Sequence, residues 1–286
     1  MRRLPYNTQD HRVGGRHELG QNFLADRALI AAVQRLVAEE TAGPIVELGA
    51  GDGALTGPLA RLGRPVTALE IDPRRVRRLR DRFGGGGNRG DDSNGSGGDG
   101  NGSSSGGRVA VVQVDVLRHR FPSAPHTIVG NIPFHLTTAI IRKLMRESGW
   151  SHAVLIVQWE VARRRAGVGG ASLLTASWWP WYEFALDRRI PAAAFRPVPS
   201  VDAGLLLMRR RASPLVPRAD QAGYQDFVRQ VFQAPGRGVA EMIGRTGRIR
   251  RDEVRDWMRR NRIPARALPK DLTAEQWAGL WRAARR

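Results

Sequence analysis

The strongest constraint on the fold of this 286-residue chain is an alternation of short apolar runs with helical stretches. Pro44 to Leu48, Pro65 to Ile71, Val109 to Val114, Thr127 to Gly130 and Ala153 to Val157 are apolar or β-branched apart from Glu47, Glu70 and Gln113. Ala54 to Leu62, Pro73 to about Phe83 and Thr137 to Arg146 between them read as helices, with Pro73 suited to a first helical turn. Strands with near-continuous apolar runs are buried on both faces, so the pattern predicts an α/β domain built on a parallel sheet. Ligands of such sheets bind beyond the carboxyl ends of the strands. Gly49 to Gly53, Glu70, Asp115 and Asn131 all fall just after strands, so they are predicted to meet at one edge.

Flanking segments complete the expected organisation. Residues 1–20 are polar and basic without an apolar core, so they read as a flexible tail and not a secretory signal. Leu29, Ile30, Val33, Leu36 and Val37 recur at helical spacing and predict an extra helix before the first strand. Residues 84–107 are Gly, Ser, Asn or Asp except for Arg89, and 12 of them are Gly. Such a tract buries too little to offset its ordering entropy, and it is expected to be a disordered insert at the edge opposite the site. A catalytic domain is expected over 21–210. Beyond it, over 211–286, the pattern becomes helical only, with apolar stripes at Tyr224, Phe227, Val228, Val231 and Phe232 and at Val254, Trp257 and Met258.

Composition narrows the chemistry. There are no cysteines, which excludes disulfides, zinc-thiolate sites and cysteine nucleophiles and agrees with a cytoplasmic protein. No run approaches the roughly 18–20 apolar residues of a membrane span, and no bound metal is expected. The net charge is +19, from 46 basic and 27 acidic residues, and residues 211–286 contribute +9. The near-exclusive use of Arg, with Lys143 and Lys270 as the only lysines, is what a GC-rich genome produces. Codon bias does not explain the surplus of base over acid, which favours a polyanionic partner such as nucleic acid. Arg163-Arg164-Arg165 reads as a solvated helix face available to phosphates.

At the predicted site, the glycines of Glu47-Leu48-Gly49-Ala50-Gly51-Asp52-Gly53 let backbone approach a ligand closely, although good loop chemistry alone has the same look. Glu70, ending the second strand, is placed to accept from ribose hydroxyls. Asp115, ending the third, can accept from an adenine amine, or simply form a turn. Asn131-Ile132-Pro133-Phe134 can be a strand ending in a turn. It can also hold an exocyclic amine: the Asn131 side-chain carbonyl and a neighbouring backbone carbonyl accept its two N–H bonds, Pro133 stiffens the loop, and Phe134 offers a stacking face.

These motifs, with Gly20-Gln21-Asn22-Phe23-Leu24, Gln158-Trp159-Glu160-Val161-Ala162 and Phe195-Arg196-Pro197-Val198-Pro199-Ser200-Val201-Asp202, occur in an order that resembles ribosomal RNA adenine N6-methyltransferases. The Erm branch, the macrolide-lincosamide-streptogramin B resistance enzymes, is the nearest likeness, with KsgA-type dimethylases as relatives. The resemblance implies a Rossmann-like class I S-adenosylmethionine-dependent methyltransferase with a mostly parallel seven-stranded sheet and a small all-α, RNA-binding C-terminal domain. It implies S-adenosylmethionine contacts from Asn22, Leu24, Gly49, Gly51, Glu70, Asp115 and Asn131. Base contacts are implied for Asn131, Ile132, Pro133 and Phe134, with Phe195 closing the pocket from the other side. It implies a monomer acting on 23S rRNA, naked or in the assembling large subunit. Phe134 departs from the Tyr of many relatives, which costs a hydroxyl but keeps the stacking face. Two alternatives are a KsgA-type small-subunit dimethylase, disfavoured by Asn-Ile-Pro-Phe and by Gln230-Val231-Phe232-Gln233-Ala234, and a non-catalytic nucleic-acid binder on the same fold.

Overall fold

The computed structural model describes residues 22–84 and 108–285. The basic tail and, apart from Gly84, the glycine-rich insert lie outside the described residues. The chain enters through β1 (Phe23–Leu24) and α1 (Arg27–Glu40), then runs through β2 (Ile45–Leu48), α2 (Thr56–Ala60), β3 (Val66–Glu70), α3 (Pro73–Phe83) and β4 (Val109–Gln113). β5 (His126–Asn131), α4 (Thr137–Arg146), β6 (Trp150–Gln158), α5 (Trp159–Arg165), α6 (Leu173–Trp178), β7 (Tyr182–Ile190), β8 (Phe195–Arg196) and β9 (Ala203–Arg210) follow. Local chemistry sets the helix starts: Asp26 caps α1 by accepting from the Ala28 and Leu29 amides, and Asp72 caps α3 with Pro73 in its first turn.

Seven strands form one sheet in the order β4-β3-β2-β5-β6-β9-β7. β4, β3, β2, β5 and β6 pair in parallel, and β9 inserts antiparallel between β6 and β7. This is a Rossmann-like sheet, mostly parallel as expected. β1 and β8 form a separate antiparallel pair in which Phe23 faces Arg196 and Leu24 faces Phe195.

Both faces of the sheet are covered, and side chains divide between them at the period of a strand. Val154 and Ile156 of β6 point into a cluster with Leu29, Val33 and Val37 of α1 and Leu59 of α2. Ala153, Leu155 and Val157 point the other way, toward Ile140, Ile141 and Leu144 of α4. That second cluster continues without a break into α7 (Gln221–Gln233), α8 (Val239–Arg245), α9 (Arg251–Arg260) and α10 (Ala274–Ala284). The stripes read from the sequence on α7 and α9 are buried in it, except for Phe232, which is half-buried against it. Aromatic rings knit the join: Trp181 meets Tyr224 edge-on at 5.5 Å, and the Tyr224 hydroxyl donates to the Ala176 carbonyl at 2.8 Å. Among the described residues, no helix is long and apolar enough to cross a membrane.

Candidate active site

A cavity of about 330 Å³ opens at the carboxyl edge of β2, β3, β4 and β5 and is roofed by the segment leading into β1. Its position follows from the parallel order of these strands, whose ends deliver Gly49, Glu70, Asp115 and Asn131 to one place. Asn22, Leu24, Gly51, Ile132, Pro133 and Phe134 also line it. Phe195 does not. Its ring is fully buried behind β1, in the cluster shared by Leu24, Val129, Ile156 and Leu205, so it touches the cavity only through its strand partner.

The glycine loop is shaped for close approach. Gly49 and Gly51 have φ of 67° and 58°, and a Cβ added at Gly49 would meet no protein atom within 4 Å, so that face is open to a ligand. Glu70 holds the loop in place. Its Oε2 accepts from the Gly51 amide at 2.8 Å, and its Oε1 accepts from the amides of Ile71 and Asp72 at 2.8 and 2.9 Å. A carboxylate has about four acceptor sites, so capacity remains on Oε2 for a ligand hydroxyl. Asp115 takes the turn role read for it, Oδ1 closing a turn onto the Leu117 amide at 2.8 Å, while Oδ2 lies 3.8 Å from the exposed Arg118. Beside these carboxylates sit Ile71 and Leu117, two of the few large apolar side chains left substantially exposed, and both line the cavity. An apolar wall flanked by acceptors suits an adenine nucleoside.

Glu47 is a site residue that the motif reading passed over. It ends no strand; it sits within β2, buried, and lines the cavity floor. Burial, opposed by a 2.6 Å hydrogen bond from the Thr56 hydroxyl and reinforced by the nearby charge of Glu70, pushes its carboxyl up to about 8. Phe23 and His135 also line the cavity unforeseen. The Phe23 ring is held by the Arg75 guanidinium, 4.2 Å from its centroid. An acid inside an otherwise apolar strand immediately before a glycine loop was the visible signal for Glu47.

At the end of β5, the Asn131 carboxamide is fixed by one contact: Nδ2 donates to the Asn22 carbonyl at 2.8 Å. Oδ1 receives no hydrogen bond from the described residues. The Pro133 carbonyl is engaged by the Leu136 amide at 2.9 Å and the Thr137 hydroxyl at 3.4 Å. Phe134 is half-buried at the rim and packs against the same apolar cluster as Phe195.

The arginine run requires a correction. Arg164 is exposed, and Arg163 pairs with Glu160 at 3.4 Å, but Arg165 is buried. Its Nη1 donates to Ser172 at 2.6 Å and to Thr175 at 3.4 Å, and desolvation brings its guanidinium down to about 10. Arg165 ties α5 to α6 and is not part of a phosphate-facing surface, because the helix turns that side chain inward.

The family model described as ribosomal RNA adenine dimethylase matches residues 13–284. The chain belongs to the ribosomal RNA adenine dimethylase family. Within this dimethylase family it is 48% identical over 270 residues to the mycinamicin-resistance protein MyrB of Micromonospora griseorubida, covering 94% of this chain and 79% of that protein. An rRNA adenine N-6-methyltransferase of Corynebacterium diphtheriae is 46% identical over 233 residues, covering 82% of this chain and 83% of the relative. Among solved structures, 23S rRNA methyltransferase ErmE matches with a TM-score of 0.78 at 30% identity, over 93% of this chain and 100% of that one. The dimethylase motifs in this chain therefore stand on a dimethylase-type backbone along nearly its whole length.

Proposed function

We propose that this protein transfers a methyl group from S-adenosylmethionine to the N6 amine of an adenine in 23S rRNA, and so confers macrolide-lincosamide-streptogramin B resistance. The observation that carries the reading is the Asn131 carboxamide, held through its NH₂ with its oxygen left for a substrate, in the lining of a cavity that also holds Gly49, Glu70 and Asp115.

The cavity residues fit the cofactor. Glu70 would take the ribose hydroxyls and Asp115 the adenine amine; Ile71 and Leu117 would flank the ring. Gly49 and Gly51 would let the methionine part lie on backbone, with Asn22 and Leu24 above it. S-adenosylmethionine, when bound, supplies an electrophilic methyl group on a sulfonium.

The chain's own task is to present the nucleophile. An adenine amine is poor because its lone pair is delocalised into the ring. Asn131 Oδ1 and the Ile132 carbonyl, the neighbour left over once Pro133 is engaged, accept its two hydrogens and favour a tetrahedral nitrogen with its lone pair aimed along one line. Phe134 holds the extruded base by stacking, worth about 1–3 kcal/mol. No strong base is required, since the proton becomes acidic only as the N–C bond forms. Catalysis is orientation and electrostatics in a site screened from water.

The partner is rRNA, bound as naked RNA or in the assembling large subunit by a monomer in the cytoplasm. The helical segment 211–286, with 17 basic and 8 acidic residues, contributes phosphate contacts, and recognition reads RNA shape and unpaired loops. The test is to incubate the protein with labelled S-adenosylmethionine and, separately, naked 23S rRNA, 16S rRNA and DNA. Label in 23S rRNA alone is the expected result. Label in 16S rRNA alone would mark a small-subunit enzyme, and no label in any of them would mark a binding protein.

A further inference from the structure

The hydrogen bond between Asn131 and Asn22 joins residues 109 positions apart, and it decides which end of the carboxamide faces the substrate. A carboxamide presents either two donors or an acceptor, and only the acceptor suits an amine that must give up its hydrogens. Turned over, Asn131 would set its oxygen against the Asn22 carbonyl oxygen and its NH₂ against the target amine. The Asn22 carbonyl thus selects the productive orientation, but only if it stays in place.

What holds it is not local to Asn131. Asn22 precedes β1, and the ladder of β1 with β8 is only two residues long. The amides of Ala25 and Asp26 both donate to the Ala194 carbonyl, at 2.9 and 3.2 Å, which ties the chain beyond β1 to the residue before β8. The apolar anchor of this pair is Phe195, fully buried and directly across from Leu24. On its other side β1 faces the cofactor cavity, which Asn22, Phe23 and Leu24 all line. One short strand therefore touches the cofactor cavity, the core and the base acceptor.

We infer that Phe195 is a positioning residue: through Leu24 and β1 it holds the Asn22 carbonyl against Asn131, so that the amide oxygen faces the target amine. The inference rests on the methyl-transfer reading above, and it gives Phe195 a role different from stacking on the base. A stacking ring must be reachable and aromatic. An anchor need only be large, apolar and buried.

The two roles separate in a series of Phe195→Ala, Phe195→Val and Phe195→Leu in the full chain, with steady-state kinetics on 23S rRNA, cofactor titration calorimetry and nitrogen-15 NMR of the Asn131 carboxamide. Anchoring predicts that Phe195→Ala lowers kcat by about 100-fold, the scale for a small misplacement of a reacting group, with KM for RNA changed by less than about twofold. Phe195→Leu should recover most of kcat although it has no ring, and Phe195→Val should fall between. In Phe195→Ala the Asn131 carboxamide protons should lose their exchange protection without RNA present. If Phe195→Ala does not fold, the Val and Leu variants and the NMR signal still decide. A raised KM for RNA with kcat preserved, no recovery in Phe195→Leu, or an unchanged Asn131 signal in the truncated variants would overturn the inference. Wild-type protein that methylates no RNA would defeat the methyl-transfer reading instead, and the carboxamide signal would still report on the anchor.

Discussion

The backbone amide of Gly51 donates to Oε2 of Glu70 at 2.8 Å, joining residues 19 positions apart at the ends of adjacent parallel strands. Glu70 also accepts from the amides of Ile71 and Asp72, so one carboxylate shapes both the loop under a ligand and the turn beside it. The ribose contact and the loop geometry are in this way a single feature.

Replacing Glu70 by Ala should consequently do two things at once. Three part-buried hydrogen bonds, each worth about 0.5–1.5 kcal/mol, are lost, and a destabilisation of about 3 kcal/mol is expected by thermal or denaturant unfolding. Cofactor affinity should weaken by more than about tenfold in titration calorimetry, one lost charge-assisted contact or more. Unchanged affinity in a stable Glu70→Ala variant would contradict the shared role.

Glu47 predicts a pH dependence of stability. In the unfolded chain its carboxyl titrates at its ordinary value of 4.5, and in the folded chain at about 8. The native state therefore holds the proton more tightly. The group's stabilising contribution is complete below pH 4.5 and is lost as the pH rises through about 8, at up to about 1.4 kcal/mol per pH unit. Glu47→Gln should flatten the fall of melting temperature between pH 5 and pH 8 relative to the wild type. Parallel curves for the two proteins would show that Glu47 is ionised in the native state.

Sequence and structure agree best where chemistry is local. α3 (Pro73–Phe83) and α4 (Thr137–Arg146) begin and end where caps, Pro73 and apolar spacing place them. The chemistry-bearing strand ends converge because parallel topology leaves them little choice. β7 escaped notice because it is an edge strand whose polar alternation, Tyr182–Ile190, carries no continuous apolar run. β9 lies next to it in the sheet, and its antiparallel direction depends on partners that no window of residues contains. Arg165 and Phe195 were illegible for one common reason. Each has a residue type with an obvious surface or site role, and only tertiary burial reassigns it, to an inter-helix tie and an anchor. Glu47 left a visible signal, an acid inside an otherwise apolar strand, but its burial beside Glu70 is set by the fold.

For Arg165 the reassignment is testable against its neighbour. Arg165→Met should lower the melting temperature while leaving the slope of log affinity for RNA against log salt unchanged. Arg164→Ala, at an exposed position, should reduce that slope by about one. A salt slope that falls in Arg165→Met as much as in Arg164→Ala would return Arg165 to the RNA-facing surface.

Phe134 should separate base binding from cofactor binding. Phe134→Ala removes a stacking face worth about 1–3 kcal/mol, so methylation efficiency on RNA should fall by about 5- to 150-fold with cofactor affinity little changed. Phe134→Tyr keeps the face and should stay near wild type. Equal loss in both variants would indicate that the position tolerates no change of packing against the cluster behind it.

The most direct measurement of the central claim is nucleoside mass spectrometry of 23S rRNA after treatment with wild-type protein or Asn131→Ala, mapped to position. The wild type should yield N6-methylated adenosine at a single adenine, and Asn131→Ala none, while still binding cofactor and RNA. A methyl group on any other atom, or N6 methylation that persists in Asn131→Ala, would contradict the account.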